Sequence, residues 1–303
     1  MIIRTTSMEY NRAFENAIRG KATAAEQRAL QEGYNTSSSS YAFPQGFKGD
    51  YTESIAKENL FRRHATILET PDSDGYIQTM LATANAEVVD DCAAYPEDSD
   101  TFATITFKAY KIASLSKLPI NFINDTKFDV YGYLKNEYAR RFGRCEERLF
   151  LTGTGSDEPK GIIHSAEVGA TTGSITYDDV VKLFFSLKPA YRKKAVWIVN
   201  DETALKLRAL KNESGDYIWN QHDNTILGRP VEYSEFMPSE AAGAKPIVFG
   251  DLSYYYVVQR NPLSVRPLVE MFAEQGMVGF AGHERIDGKL IRAEAAKTLK
   301  TTG

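Results

Sequence analysis

The clearest periodic signal in the chain is an apolar stripe at Tyr131, Leu134, Tyr138, Phe142, Cys145 and Leu149. Its steps of 3, 4, 4, 3 and 4 residues keep one face of an α-helix apolar. Asp125 or Thr126 offers an N-cap, so the spacing predicts a helix over 125–151, a rod of roughly 38 Å. The opposite face carries Arg140, Arg141, Arg144 and Arg148 interleaved with Glu137, Glu146 and Glu147, the pattern of a solvated or protein-contacting face. Cys145 lies on the stripe and reads as a core residue rather than a nucleophile.

Upstream, the period changes to two. In Thr101-Phe-Ala-Thr-Ile-Thr-Phe-Lys-Ala-Tyr-Lys-Ile112, the side chains of Ala103, Ile105, Phe107 and Ala109 share one face, which predicts a long β element. Residues 76–89 would be its partner. The connection 90–100 carries five carboxylates and no Lys or Arg, so a hairpin with an acidic tip is expected. Residues 9–32 read as a polar helix broken at Gly20, with Phe14 and Ile18 on one side. The Ser-rich stretch from Asn35, running on to Gly49, reads as an extended arm or a linker.

After a glycine-rich turn the chain mixes helices with short strands. Thr176 followed by two aspartates starts a helix to Leu187, Ala195–Val199 is a buried strand, and Asp201–Leu210 is another helix. Short strands are expected at 226–227, 231–233, 247–249, 254–259, 265–268, 277–281 and 290–293. The fold class is α+β, without the regular βαβ repeat of a doubly wound sheet.

Composition narrows the function. The chain has 303 residues, 43% apolar and 12% aromatic, and a net charge of −4, which speaks against a surface built to grip phosphates. Its two cysteines, Cys92 and Cys145, form no CxxC pair, so neither a disulfide framework nor a thiolate zinc site is supported. No run of 18 apolar residues suggests a membrane span. Gly153-Thr-Gly-Ser-Asp-Glu-Pro-Lys-Gly161 lacks the Gly-Lys-Ser/Thr ending of a phosphate loop and follows a helix, so it reads as a turn. His283-Glu284-Arg285 does not continue as HExxH, and His64, His164 and His222 are isolated. No catalytic residue, metal ligand or cofactor is assigned, and a non-enzymatic, structural role is expected.

The order of these features resembles the major capsid proteins of tailed double-stranded DNA bacteriophages, the HK97-like fold. The residues that carry the resemblance are Leu60-Phe-Arg-Arg63, Ala94-Tyr-Pro-Glu97 at the hairpin's end, and Leu151-Thr-Gly-Thr-Gly-Ser-Asp-Glu-Pro-Lys-Gly-Ile162 after the long helix. Trp197, Leu210-Lys-Asn-Glu-Ser-Gly-Asp-Tyr-Ile-Trp219, Ile226-Leu-Gly-Arg-Pro-Val231, Met237-Pro238, Val248-Phe-Gly-Asp251 and Tyr254–Val258 extend it from about Asn35 to the C-terminus.

The resemblance implies an N-arm at 35–50, an extended E-loop at 75–118 and an axial domain at 177–260. It further implies a peripheral domain from 51–74, 119–176 and 261–303, with its spine helix at 125–151. Residues 1–34 resemble the end of a helical scaffolding region, which implies either a separate scaffolding protein or a chain that has lost its beginning. The E-loop tip, Asp90, Asp91, Tyr95, Pro96, Glu97, Asp98 and Asp100, is expected to meet the arginine face of an adjacent copy. Asn212, Asp216, Tyr217 and Trp219 are the expected axial contacts within a capsomer.

Some relatives weld neighbouring subunits through an isopeptide bond between an E-loop lysine and an asparagine, helped by a glutamate. Here Tyr95 stands at the lysine's place, Glu274-Gln-Gly-Met277 offers no asparagine, and Glu284 falls near the helper's place, so no cross-link is expected. The implied role is a shell built from pentamers and hexamers that encloses double-stranded DNA without sequence readout. Its implied partners are further copies of itself, a portal protein, a scaffolding protein and a head maturation protease, and no membrane. Its implied location is the virion capsid, assembled in the bacterial host cytoplasm. An encapsulin-type nanocompartment shell is the alternative; the N-terminal remnant and the Gly-Thr-Gly-Ser-Asp-Glu-Pro-Lys-Gly string favour the phage reading.

Overall fold

The computed structural model describes residues 8–19, 21–32, 41–42, 45–71, 74–82, 101–124, 128–211, 215–220 and 223–302. In chain order the first elements are α1 (Met8–Ile18), α2 (Ala24–Glu32), β1 (Tyr41–Ala42), α3 (Gln45–Glu58), α4 (Leu60–His64), β2 (Thr66–Thr70), β3 (Asp74–Ala82), β4 (Thr101–Lys108), β5 (Tyr110–Pro119) and α5 (Ile120–Asn124). There follow α6 (Val130–Thr152), α7 (Ile162–Ser165), β6 (Glu167–Thr172), α8 (Tyr177–Ser186), α9 (Pro189–Arg192), β7 (Val196–Val199) and α10 (Asp201–Ala209). The last strands are β8 (Trp219–Asn220), β9 (Thr225–Ile226), β10 (Arg229–Tyr233), β11 (Ile247–Gly250), β12 (Tyr255–Leu268), β13 (Met277–Leu290) and β14 (Ala296–Thr301).

The long antiparallel pair β12–β13 is the axis of a five-stranded sheet, registered from Tyr255 opposite Leu290 to Leu268 opposite Gly279. β5 lies along the free side of β13, and the other side of β12 takes β2 in parallel and β1 antiparallel. α6 packs across this sheet through Leu134, Tyr138 and Phe142, which meet Leu263, Val265, Val278 and Phe280. The Tyr138 hydroxyl donates to the Phe280 carbonyl at 2.6 Å, and its ring lies over Gly282, where an added Cβ would come within 2.8 Å of it. α1 brings Tyr10 and Phe14, and α3 brings Tyr51 and Ile55, to the same core.

The long helix is therefore present, but it starts later than the spacing suggested. Asp129, not Asp125 or Thr126, is its N-cap and accepts the Gly132 N–H at 2.9 Å, while Ile120–Asn124 forms the separate α5. Glu146 and Glu147 are not on a solvated face; both are buried. The arm is also partly helical. α3 begins at Gln45, and its C-terminal end packs closely on α6 at Gly143, where an added Cβ would stand 2.9 Å from the Glu58 Cβ.

A seven-stranded sheet, in the order β6-β14-β11-β7-β10-β9-β8, forms the second body of the fold. Trp197 of β7 stacks on Phe249 of β11 with ring centroids 4.0 Å apart and donates its indole N–H to the Ile226 carbonyl at 3.0 Å. α8 closes this core with Val180 and Leu183, and α10 with Ala204 and Leu207. Thr176 starts α8 through a reciprocal cap with Asp179, and Asn200 caps α10 by accepting the Thr203 N–H at 2.7 Å.

Three expected boundaries move. Position 260 falls inside β12, whose first half already pairs with β13, so the strands expected at 254–259 and 265–268 are one bulged strand. β6 and β14 were not expected as strands; both belong to the sheet of β7 and β11, so 167–172 and 296–301 sit with residues 177–250. The long β element at 101–112 breaks at Ala109, and 110–119 pairs with β13 instead of continuing the hairpin.

Candidate inter-subunit surfaces

The β3–β4 hairpin stands on a narrow base. Its register runs from Asp74 opposite Lys108 to Ala82 opposite Thr101, as an antiparallel pair that no third strand joins among the described residues. Phe107 folds its ring over Gly75 across the pair, where any Cβ would collide with it. At the base the Lys108 N–H donates to Asp287 at 2.9 Å, and the Lys289 ammonium donates to the Thr106 carbonyl. Burial raises the Asp287 carboxyl above its ordinary range, against the N–H groups of Lys108 and Gly288 that favour its charge. Farther out Tyr76 is 64% exposed. The tip residues Asp90, Asp91, Tyr95, Pro96, Glu97, Asp98 and Asp100 lie outside the described residues.

Three of the four predicted arginines border one groove. Arg140, Arg141 and Arg144 of α6 line it with Phe142, Cys145 and the β5 residues Ile112, Ala113 and Ser114, around a volume of about 420 Å³. Arg141 is braced by Glu137 at 2.7 Å, Ser114 Oγ at 3.1 Å and the Leu115 carbonyl at 3.1 Å. Arg140 also reaches Glu137, at 3.0 Å, and Arg144 pairs with Glu235 at 2.5 Å. Between them the two arginines draw the Glu137 carboxyl below its usual range, against the burial that opposes this. Burial raises the Cys145 thiol, with Arg148 pulling it the other way. Arg148 is exposed, one turn farther along the helix.

Beneath this face is a buried polar junction that sequence reasoning missed. Arg62 of α4 donates to both Glu146 oxygens, at 2.8 and 2.5 Å, and to Gln259 Oε1 at 2.8 Å. Asn59 donates to Glu146 at 2.9 Å, while Glu147 accepts from the Leu60 N–H at 3.1 Å and from Ser234 Oγ at 2.5 Å. Glu284 of β13 is 2% exposed; Tyr51 donates to its Oε2 at 3.4 Å, and among the described residues its Oε1 has no hydrogen-bond partner. Burial and then the Glu146 charge push the Glu284 carboxyl well above its ordinary range. Glu284 thus faces the interior rather than the surface. The residues that pair here are 84 to 233 positions apart, so no local pattern announces them.

The predicted axial contacts divide. Tyr217 is 54% exposed with the Lys211 ammonium 4.7 Å from its ring centre, and Asp216 is exposed beside it. Trp219 is 2% exposed and is corrected from a contact residue to a loop anchor. It donates to Asn224 Oδ1 at 3.2 Å, lies within 6.3 Å of the Tyr233 ring and is covered by Arg208. Asn212 lies outside the described residues.

The glycine string is a turn. Thr154 and Lys160 form a β-bridge, Glu158 accepts the Thr154 N–H at 2.9 Å, and the Gly161 N–H donates to the Gly153 carbonyl at 2.8 Å. Gly153 and Gly161 are required because any Cβ would strike the backbone carbonyls of Pro159 and Leu151. Among the described residues no group of three His, Cys, Asp or Glu side chains could hold a metal ion, and no helix is long and apolar enough to cross a membrane.

The model of the phage capsid family matches residues 39–301. No curated protein matches the chain. Among solved structures, the capsid of an empty GTA particle computed with C5 symmetry is 25% identical with a TM-score of 0.71, covering 80% of this chain and 89% of that one. The native particle's capsid gives 25% and 0.67 over 83% and 91% of the two chains. Microbacterium phage Oxtober96 gives 17% and 0.60 over 81% and 91%. The fold is of the HK97-like capsid kind, and the protein is structural rather than enzymatic.

Proposed function

From the premise that the chain belongs to the phage capsid family, we propose that it is the major capsid protein of a tailed phage or prophage. Its copies assemble through pentamers and hexamers into an icosahedral shell around double-stranded DNA. In this reading the five-stranded sheet with α6 is the peripheral body, the seven-stranded sheet the axial body, and β3–β4 the E-loop. Portal, scaffolding and maturation proteins are its partners in a bacterial cytoplasm. The net charge of −4 suits a container that must fill and empty without gripping its cargo.

The observation that carries the reading is the β3–β4 hairpin. A two-stranded ribbon with one half-buried face is marginal in water, and here it keeps its extended form with little of its own subunit behind it. A neighbouring subunit's surface supplies the missing cover. Repeated heterologous contacts of this kind close into rings, and many weak interfaces become collectively strong.

We read the shell as free of covalent welds. The region matching the cross-linking asparagine's place, Glu274-Gln-Gly-Met277, contains no asparagine, and Glu284 is enclosed by Tyr51, Glu146 and Arg62. Assembled shells boiled in SDS with reductant should release a single 33.9 kDa band. A ladder that survives reductant contradicts this.

A further inference from the structure

We propose that the cleft beside the β13–β14 connection, together with the basic turn next to it, binds the phosphate groups of double-stranded DNA without reading its sequence. The inference rests on the shell reading for the identity of the ligand, and it assigns the part of the subunit that meets the cargo.

The charge of the chain is unevenly spread. Between Asp179 and Asp201 it carries Lys182, Lys188, Arg192, Lys193 and Lys194 and no carboxylate, although the net charge of the whole is −4. The fold gathers most of these cations at one end of the seven-stranded sheet. Lys193 and Lys194 are exposed just before β7, and Arg229, which starts the parallel neighbour β10, donates to the Lys193 carbonyl at 2.7 Å. Arg192 donates to the Leu187 carbonyl at 2.7 Å, and its guanidinium lies 5.4 and 5.0 Å from the ring centres of Phe184 and Phe185. The acids that open α10, Asp201 and Glu202, follow the other end of β7, about 13 Å of strand away.

Beside this turn, the link from β13 to β14 borders a cleft of about 470 Å³ whose charged lining is Lys160, Lys289 and Arg292 with Glu167 and Glu294. Both carboxylates are neutralised from outside the lining. Lys297 pairs with Glu167, and Lys188 pairs with Glu294, which also accepts the Tyr191 hydroxyl at 2.6 Å. Lys289 donates to the Thr106 carbonyl, Arg292 donates to the Tyr191 hydroxyl at 3.3 Å, and Lys160 is exposed. Tyr191 thus joins the cleft to the turn that holds Arg192, Lys193 and Lys194. Of the acids close by, Glu158 accepts the Thr154 N–H and Asp287 accepts those of Lys108 and Gly288, while Asp157 is exposed on the Lys160 turn. The cations outnumber these acids.

A phosphodiester backbone is the anion this face fits. Lysine is depleted from the packed cores of protein–protein interfaces, whereas exposed ammonium groups spread over a face suit a line of single charges. Four contacts, from Lys160, Arg192, Lys193 and Lys194, give an affinity that falls about a hundredfold between about 50 and 200 mM salt. Such a grip releases readily, in keeping with the acidic balance of the whole subunit.

The full-length chain is titrated with a fluorescent duplex of about 20 base pairs and mixed sequence at several salt concentrations, and in parallel with pyrophosphate and with a poly-glutamate chain. The expected result is duplex binding that weakens with salt at a logarithmic slope of about −4, and poly-glutamate binding at least about tenfold weaker. Lys160→Gln combined with Lys193→Gln and Lys194→Gln should weaken duplex binding at least about tenfold at low salt and flatten the slope by about 2–3, with the circular dichroism of the subunit unchanged. Lys57→Gln combined with Lys206→Gln and Lys300→Gln removes the same charge from exposed positions elsewhere and should change the affinity by less than about twofold. Equal losses in the two triple variants overturn the site. So does poly-glutamate binding tighter than the duplex, which marks a protein-docking face, and so does pyrophosphate binding without duplex binding, which marks a site for a small phosphorylated ligand. Shells that form from a chain with no duplex binding overturn this proposal and leave the shell reading standing. Duplex binding that the first triple variant loses, in a chain that forms no particles, overturns the shell reading and keeps the phosphate site.

Discussion

Arg62 grips Glu146 with two parallel hydrogen bonds, at 2.8 and 2.5 Å, in an interior where both side chains are almost fully enclosed. This pair ties α4, which follows the arm, to the C-terminal third of the longest helix, and Gln259 extends it to the sheet. The fork geometry of guanidinium and carboxylate makes the junction directional as well as strong. Removing the cation strands Glu146 beside Glu284 with no counter-charge. Arg62→Ala should cost about 3–5 kcal/mol of subunit stability, measured by urea unfolding. Lys at the same place should recover only part of it, because an ammonium cannot make the paired contact.

Glu284 gives the subunit a pH dependence of known sign. Its folded pKa is raised, so its contribution to stability is complete below the unfolded value near 4.5 and is lost as pH rises toward the folded value. Glu284→Gln keeps the uncharged shape at every pH. The variant should match the wild type near pH 4 and be the more stable of the two at pH 7 to 8, in paired thermal melts. Glu137, Asp179, Glu232 and Glu294 have lowered values and act in the opposite sense, but they are common to both proteins and cancel in the difference.

Gly161→Ala should unfold the turn after α6. Its Cβ would meet the Leu151 carbonyl and the Gly153 nitrogen, both backbone atoms that cannot swing aside. A loss of about 2–4 kcal/mol is expected by chemical denaturation. Gly173→Ala is the control, since among the described residues nothing beyond its chain neighbours lies within 4 Å of the place its Cβ would take, and it should change stability by less than about 0.5 kcal/mol.

Trp219 and Tyr217 separate folding from contact. Trp219→Ala removes a buried ring and should cost about 3–5 kcal/mol in the isolated subunit. Tyr217→Ala touches an exposed ring and should leave subunit stability within about 0.5 kcal/mol. Sedimentation of the Tyr217 variant then reads assembly alone, and a loss of particles there with normal melting marks the axial contact.

Much of the fold was legible where a single local rule decides. The α6 stripe, the cap at Thr176 and the apolar run around Trp197 each announce their element without help from elsewhere. What escaped depends on distant partners. α3 contains Gly46 and Gly49 and shows few apolar positions; α6 holds it through Tyr51, Ile55 and the gap at Gly143. β14 reads Ala-Lys-Thr-Leu-Lys-Thr and becomes a strand because β11 and β6 flank it. Glu146 and Glu147 look like surface charges until Arg62, Asn59 and Ser234 arrive from 84 to 87 residues away. The arginine groove was visible as a helical face, whereas its other wall, β5, required the sheet register.

Negative-stain electron microscopy of the purified full-length chain, read beside its sedimentation profile, tests the central claim most directly. The account predicts closed angular shells, or rings of five and six subunits, that sediment far ahead of a 33.9 kDa monomer. A clean monomer at every ionic strength, alone and co-expressed with the neighbouring genes that would supply a scaffold, would contradict it.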